Sequence, residues 1–151
     1  MADKFDYWVR NDVGKFIRLY WIQYCLLYVL GAWLALHLRI LSAFFIIGFL
    51  PYLVIFIYRW SHNPFNDIES GIKKYDSPLH ECLSNLVSEK QLKQRAASIY
   101  TLFMKEPEIR LNSDLLTFKK NYNRINTHAM MSLSLWLLTS AALTIYMFLT
   151  R

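Results

Sequence analysis

LYWIQYCLLYVLGAWLALHL, residues 19–38, is the stretch that decides the fold. It holds no Lys, Arg, Asp or Glu, and as a helix rising about 1.5 Å per residue it spans the hydrocarbon core of a bilayer, roughly 30 Å. Two further stretches read the same way: ILSAFFIIGFLPYLVIFIY at residues 40–58 and MMSLSLWLLTSAALTIYMFL at residues 130–149. A helix buried in a soluble bundle normally keeps a polar stripe towards water, and these three have none. The predicted fold is therefore an all-α, polytopic membrane protein with three transmembrane helices. A tight hairpin occupies residues 19–58 and a carboxyl-terminal span residues 130–151. An amphipathic helix at residues 1–18 precedes them, and residues 59–129 form a small cytoplasmic helical bundle.

Composition agrees with that reading and excludes others. Hydrophobic residues make up 55% of the 151 and aromatics 17%, while only 19% are charged, against about a quarter in an average soluble chain. Disordered chains have the opposite bias. Two cysteines are too few for a disulfide scaffold, and four Gly with four Pro are too few for a collagen-like or linker chain. Of the 17 Lys and Arg, all but Arg39 and Arg151 lie before the first stretch or between the second and third. Excess Lys and Arg marks the cytoplasmic face, which predicts that the amino terminus and the long loop lie inside and the carboxyl terminus outside. The acidic residues share that side, so the net charge of +6 is a topology signal. A nucleic-acid surface would want a basic stripe with few acids.

Working outward, Phe5, Trp8, Val9, Val13, Phe16, Ile17 and Tyr20 recur at helical spacing among basic residues, a pattern suited to a headgroup interface. Three aspartates precede the first stretch, and no small-x-small site follows it, so it does not read as a cleaved signal. Gly48 and Pro51 predict a kink in the second span, because Pro removes a backbone donor and crowds the preceding turn. In the long loop, Ser77 and Pro78 read as cap and first residue of a helix carrying Leu79, Cys82, Leu83, Leu86 and Val87. Ser88 with Gln91 forms a capping-box signature for a second helix, with Leu92, Ala96, Ile99, Tyr100 and Phe103 on one face and Pro107 as its stop. Asn112 or Ser113 starts a third, carrying Leu115, Phe118, Tyr122 and Ile125. No Gly or Pro follows, which predicts one rod of about thirty-five residues running into the last span.

Motifs for chemistry are sparse. His62, Asn63, Asp67, Glu69, His80 and Glu81 form a polar cluster, but their spacing fits no compact metal pattern, and Asn63 to Asp67 reads better as a turn and helix start. GxSxG, SxxK, CxxC and Gly-rich phosphate loops are missing. The chain is thus predicted to be non-enzymatic, with no catalytic or metal residues, no cofactor, no small-molecule substrate and no nucleic acid. The spans carry helix-packing residues instead: Gly31 and Ala35 in the first, Ser132, Ser140 and Thr144 in the third. Exposed basic residues Lys93, Arg95, Lys119, Lys120 and Arg124 are candidates for partner contact, with solvent or lipid as their alternative surroundings.

Residues 75–151 resemble the universal stress protein B type of small bacterial inner-membrane protein. The features that carry the resemblance are Asp76, Pro78 and Leu79, the Leu92 to Tyr100 helix, and the basic helix with Lys119, Lys120 and Arg124 that feeds the last span. The opening hairpin departs from that pattern, which has one amino-terminal span. The resemblance implies a bacterial inner-membrane setting and carries over no active-site residues. The expected function is contact with another inner-membrane protein or self-association within membrane lipid. Such a protein would serve as an accessory subunit or as a blocker of the plasmid-exclusion or toxin-immunity kind. The alternative is a channel or transporter subunit built on the Gly48 and Pro51 break.

Overall fold

Asp12 divides what the sequence pattern presents as one amino-terminal helix. Its carboxylate accepts the Gly14 N–H at 2.8 Å and caps a new helix, so α1 (Lys4–Arg10) ends and α2 (Val13–His37) begins afresh. The computed structural model describes residues 4–38, 41–87 and 92–150. The Ser88 and Gln91 capping pair, Arg39, Lys90 and Arg151 lie outside them, as does the side chain of Lys93. Among the described residues all regular structure is helical. It continues with α3 (Leu41–Ser61), α4 (Ile68–Tyr75), α5 (Ser77–Asn85), α6 (Leu92–Lys105) and α7 (Ser113–Leu149), with single 3-10 turns at Phe65–Asp67 and Glu108–Arg110. Three of these helices, α2, α3 and α7, are long and apolar enough to cross a membrane.

Local chemistry sets the boundaries. The α5 cap is Asp76 rather than Ser77: its carboxylate accepts the Leu79 N–H at 3.0 Å, and Ser77 becomes the first helical residue. A carboxylate is the stronger acceptor for the exposed first-turn amides. Asn112 caps α7 by accepting from Leu115 N–H at 2.9 Å, while its amide nitrogen donates to the Tyr75 carbonyl at 2.7 Å. From there α7 runs 37 residues without a break.

The chain forms two compact units. The first comprises Met1–Asn11 and His62–Asn123. Its core is aromatic. The Phe5 ring stacks on Phe118 at 4.1 Å, Trp8 meets Tyr122 edge-on at 5.2 Å, and Phe103 lies 5.8 Å from Phe118. Ile68, Ile72, Ile99 and Leu115 fill the space around them. Phe5 and Trp8 are fully buried there, and the Trp8 indole donates to the His62 carbonyl at 2.6 Å. These two residues are therefore core, where the sequence pattern suggests headgroup anchors. Gly71 is required beside them, since a Cβ at that position would overlap the Phe5 ring.

The second unit comprises Asp12–Ser61 and Arg124–Arg151. In it α2 and α3 run antiparallel: Phe16 stacks on Tyr58 at 3.7 Å near one end, and Gly31 meets Phe44 near the other. The lower part of α7 runs parallel to α2. Trp21 Nε1 donates to His128 Nδ1 at 3.1 Å, the Tyr24 hydroxyl donates to the Ser132 carbonyl at 3.2 Å, and the Tyr28 hydroxyl reaches Thr139. Buried positions on α3 are Phe44, Gly48, Pro51 and Ile55, spaced four, three and four apart. On α7 the inward positions are Ile125, Ala129, Ser132, Trp136 and Ser140, with the same three-and-four rhythm. That spacing keeps one face of a helix against its neighbours.

Candidate functional site

Glu69, His80, Ser84 and Arg95 come from three helices of the first unit and meet at one point. Arg95 Nη2 donates to Glu69 Oε1 at 2.9 Å and to Ser84 Oγ at 2.5 Å, and His80 Nε2 lies 3.5 Å from the same carboxylate oxygen. The cluster is half-buried, and Arg95 Nε is enclosed without a partner. Its chemistry is cohesive. One guanidinium ties α4, α5 and α6 together, which sequence separations of 26 and 11 residues do not announce. The rest of the polar group singled out above is dispersed. His62 stacks on Tyr7 at 4.0 Å, Asn63 accepts the Phe65 N–H, Asp67 accepts the Lys4 N–H, and Glu81 is exposed. Among the described residues no three His, Cys, Asp or Glu are arranged to hold a metal ion.

A second polar knot holds α1 to α4. Lys74 Nζ donates to Asp6 Oδ2 at 2.5 Å and the Tyr75 hydroxyl donates to Asp6 Oδ1 at 2.9 Å, with Arg10 3.6 Å away. The Lys74 hydrogen bond holds the Asp6 carboxyl below the ordinary carboxylate range, with Tyr75 and the nearby charges adding to it against the effect of burial. Burial pushes the Tyr75 phenol above its usual value, and its bond to the Asp6 carboxylate pushes it further.

The basic residues proposed for contact fall into distinct surroundings. Arg95 is engaged as described. Lys119 is buried, and its ammonium donates to the Glu106 carbonyl at 2.6 Å, closing the carboxyl end of α6. Lys120 and Arg124 are exposed. Of the helix-packing residues, Gly31, Ala35, Ser132 and Ser140 are buried and Thr144 is exposed. A Cβ on Gly31 would stand 3.4 Å from the Phe44 backbone, so this glycine is where α3 approaches α2. Ser132 Oγ donates to the Ala129 carbonyl at 2.9 Å and Thr144 Oγ1 to the Ser140 carbonyl at 2.7 Å; both hydroxyls satisfy their own helix. Gly48 and Pro51 are buried, and a Cβ on Gly48 would stand 3.1 Å from the Trp136 ring.

Two further features belong to the second unit. Lys15 and Arg18 on the first turns of α2, Arg59 at the end of α3 and Arg124 on α7 lie at the same end of that unit. The Phe16–Tyr58 stack and the Trp21–His128 bond fix that level, and Arg124 Nη1 lies 3.3 Å from the point where a Gly14 side chain would begin. Asp12 is the acidic residue beside them, and its carboxylate caps α2. Along the outer face of α7 runs a shallow groove of about 610 Å³ lined by Asn126, Thr127, Met130, Met131, Leu135 and Leu138. Comparison with family models, curated proteins and solved structures finds no significant match.

Proposed function

We propose that the chain is a non-enzymatic bacterial inner-membrane protein that works by protein–protein contact, as an accessory subunit of a membrane assembly or as a blocker of the exclusion or immunity kind. The observation that carries the membrane part is how little the apolar helices cover one another. Within the protein only 22%, 22% and 11% of the three apolar windows are buried. Leu19, Leu26, Val29, Ile46, Ile57 and Leu138 stand well exposed, a surface water does not tolerate. Lipid covers such a surface at no cost to the backbone, because every span is a closed helix. The basic residues on one side orient the amino terminus and the first unit to the cytoplasm.

The contact part rests on the polar clusters. Arg95, Glu69, Ser84, Lys119 and Asp6 are spent on joining helices, which supports a shape-presenting role for the first unit over a reactive one. Gly48 and Pro51 lie on the packed stripe of α3, with Trp136 against Gly48, which supports close packing over a broken-helix pathway.

Two experiments test the proposal. Reporter fusions at Tyr100 and Leu38 should light on opposite sides, cytoplasmic at Tyr100 and periplasmic at Leu38; the reverse pattern refutes the orientation. Affinity purification in mild detergent after crosslinking should recover a defined second membrane protein or a defined oligomer. Repeated recovery of the lone chain refutes the contact role.

A further inference from the structure

We propose that the basic end of the second unit, together with the outer face of α7, binds an anionic phospholipid. Arg18 and Arg124 take the headgroup phosphate, and the α7 groove takes an acyl chain. This inference rests on the membrane reading above. Its foundation is a local charge imbalance with an apolar trough beside it. Among the described residues, Lys15, Arg18, Arg59 and Arg124 have no carboxylate partner, since Asp12 is occupied in capping α2. Arg18 bonds only the Gly14 carbonyl, at 3.4 Å, and Arg124 approaches the same glycine, so two guanidinium groups border one spot. Guanidinium matches phosphate oxygens in shape and charge.

The trough begins at the same level. Arg124, Thr127, Met131, Ser134 and Leu138 are spaced three, four, three and four apart, which puts them on one stripe of α7. Its head is polar and its floor apolar, in the order of a phospholipid. Met130, Met131, Leu135 and Leu138 are exposed there, and methionine conforms to an irregular chain.

The test is native mass spectrometry of the detergent-extracted chain titrated with phosphatidylglycerol or phosphatidylcholine. The wild type should retain phosphatidylglycerol in preference. Arg18→Gln and Arg124→Gln should each lower that preference about fivefold, and the pair about thirtyfold. The Arg18→Lys/Arg124→Lys pair, which keeps both charges without the planar fork and guards against misfolding of the Gln pair, should lose less of it than the Gln pair, and Lys105→Gln in the first unit should keep it. Equal retention of the two lipids by the wild type, or an unchanged preference in the Gln pair, overturns the assignment. Complete disulfide dimerisation of a Ser134→Cys variant also overturns it, because a second helix would then fill the trough. Flotation with phosphatidylcholine vesicles separates the two levels: a chain that fails to float removes the membrane reading, and one that floats without the lipid preference removes only this site.

Discussion

Truncating Phe5 to alanine separates a core role for α1 from a headgroup role. Phe5 is fully buried, stacked on Phe118 with ring planes 8° apart, and seated over Gly71. Removing its ring leaves a cavity between α1, α4 and α7 that neighbouring rings cannot close without leaving their own contacts. Phe→Ala changes of this kind cost about 3–5 kcal/mol. Near the size of the first unit, each kcal/mol moves a thermal midpoint by about 4–8 °C, so the expected fall is at least about 12 °C. The control is Ile109→Ala: Ile109 is 94% exposed, and its truncation should stay within about 0.5 kcal/mol. Thermal melts in detergent followed by indole fluorescence supply the readout, with limited proteolysis near α1 as a second measure. Trp8 reports directly, because it sits 5.2 Å from Tyr122 in the same core. If Phe5→Ala melts with the Ile109→Ala variant, the burial argument for α1 is refuted.

Lys119→Met should destabilise the first unit by about 1–3 kcal/mol, because it leaves the Glu106 carbonyl without its donor. Lys119→Glu should be worse, and its loss from membranes in a pulse-chase would mark a folding defect rather than a lost partner. Gly48→Val should cost about 1–3 kcal/mol by pushing Trp136 off α3, read as a lower melting midpoint of the extracted protein; an unchanged midpoint counts against that packing. Asp6 titrates at a lower pH folded than unfolded, so its contribution is complete above the ordinary carboxylate value of about 3.9 and is lost as pH falls through the folded value. Acid titration should therefore destabilise the wild type more steeply than Asp6→Asn, and parallel curves would remove the Asp6–Lys74 account.

What was legible in the sequence was whatever repeats along one helix. The three uncharged stretches needed only their length, and the α6 stripe ending before Pro107 needed only its period. The unbroken run of α7 followed from the lack of Gly and Pro after Asn112. The division at Asp12 is hidden in the sequence because Phe5, Val9, Val13, Phe16 and Tyr20 follow one another at steps of three and four, so the apolar pattern runs straight through the break. The clue was the Asn11–Asp12 pair, two residues that favour caps over helix interiors. The Arg95 cluster had no local signal, since its partners lie on separate helices. The stripe of α5 was legible only in part: Leu83 and Val87 are buried, while Cys82 and Leu86 face outward.

The first unit is assembled from two pieces of chain that the ribosome delivers far apart. Residues 4–11 are synthesised before the apolar hairpin, yet the rings that enclose Phe5 and Trp8, on Phe118 and Tyr122, come more than a hundred residues later. At about 5–20 residues per second that gap lasts about 5–25 s. For that interval a phenylalanine and a tryptophan stand uncovered next to a nascent hairpin. Completion of this core is therefore timed by translation, and it closes only once the last helix has been made.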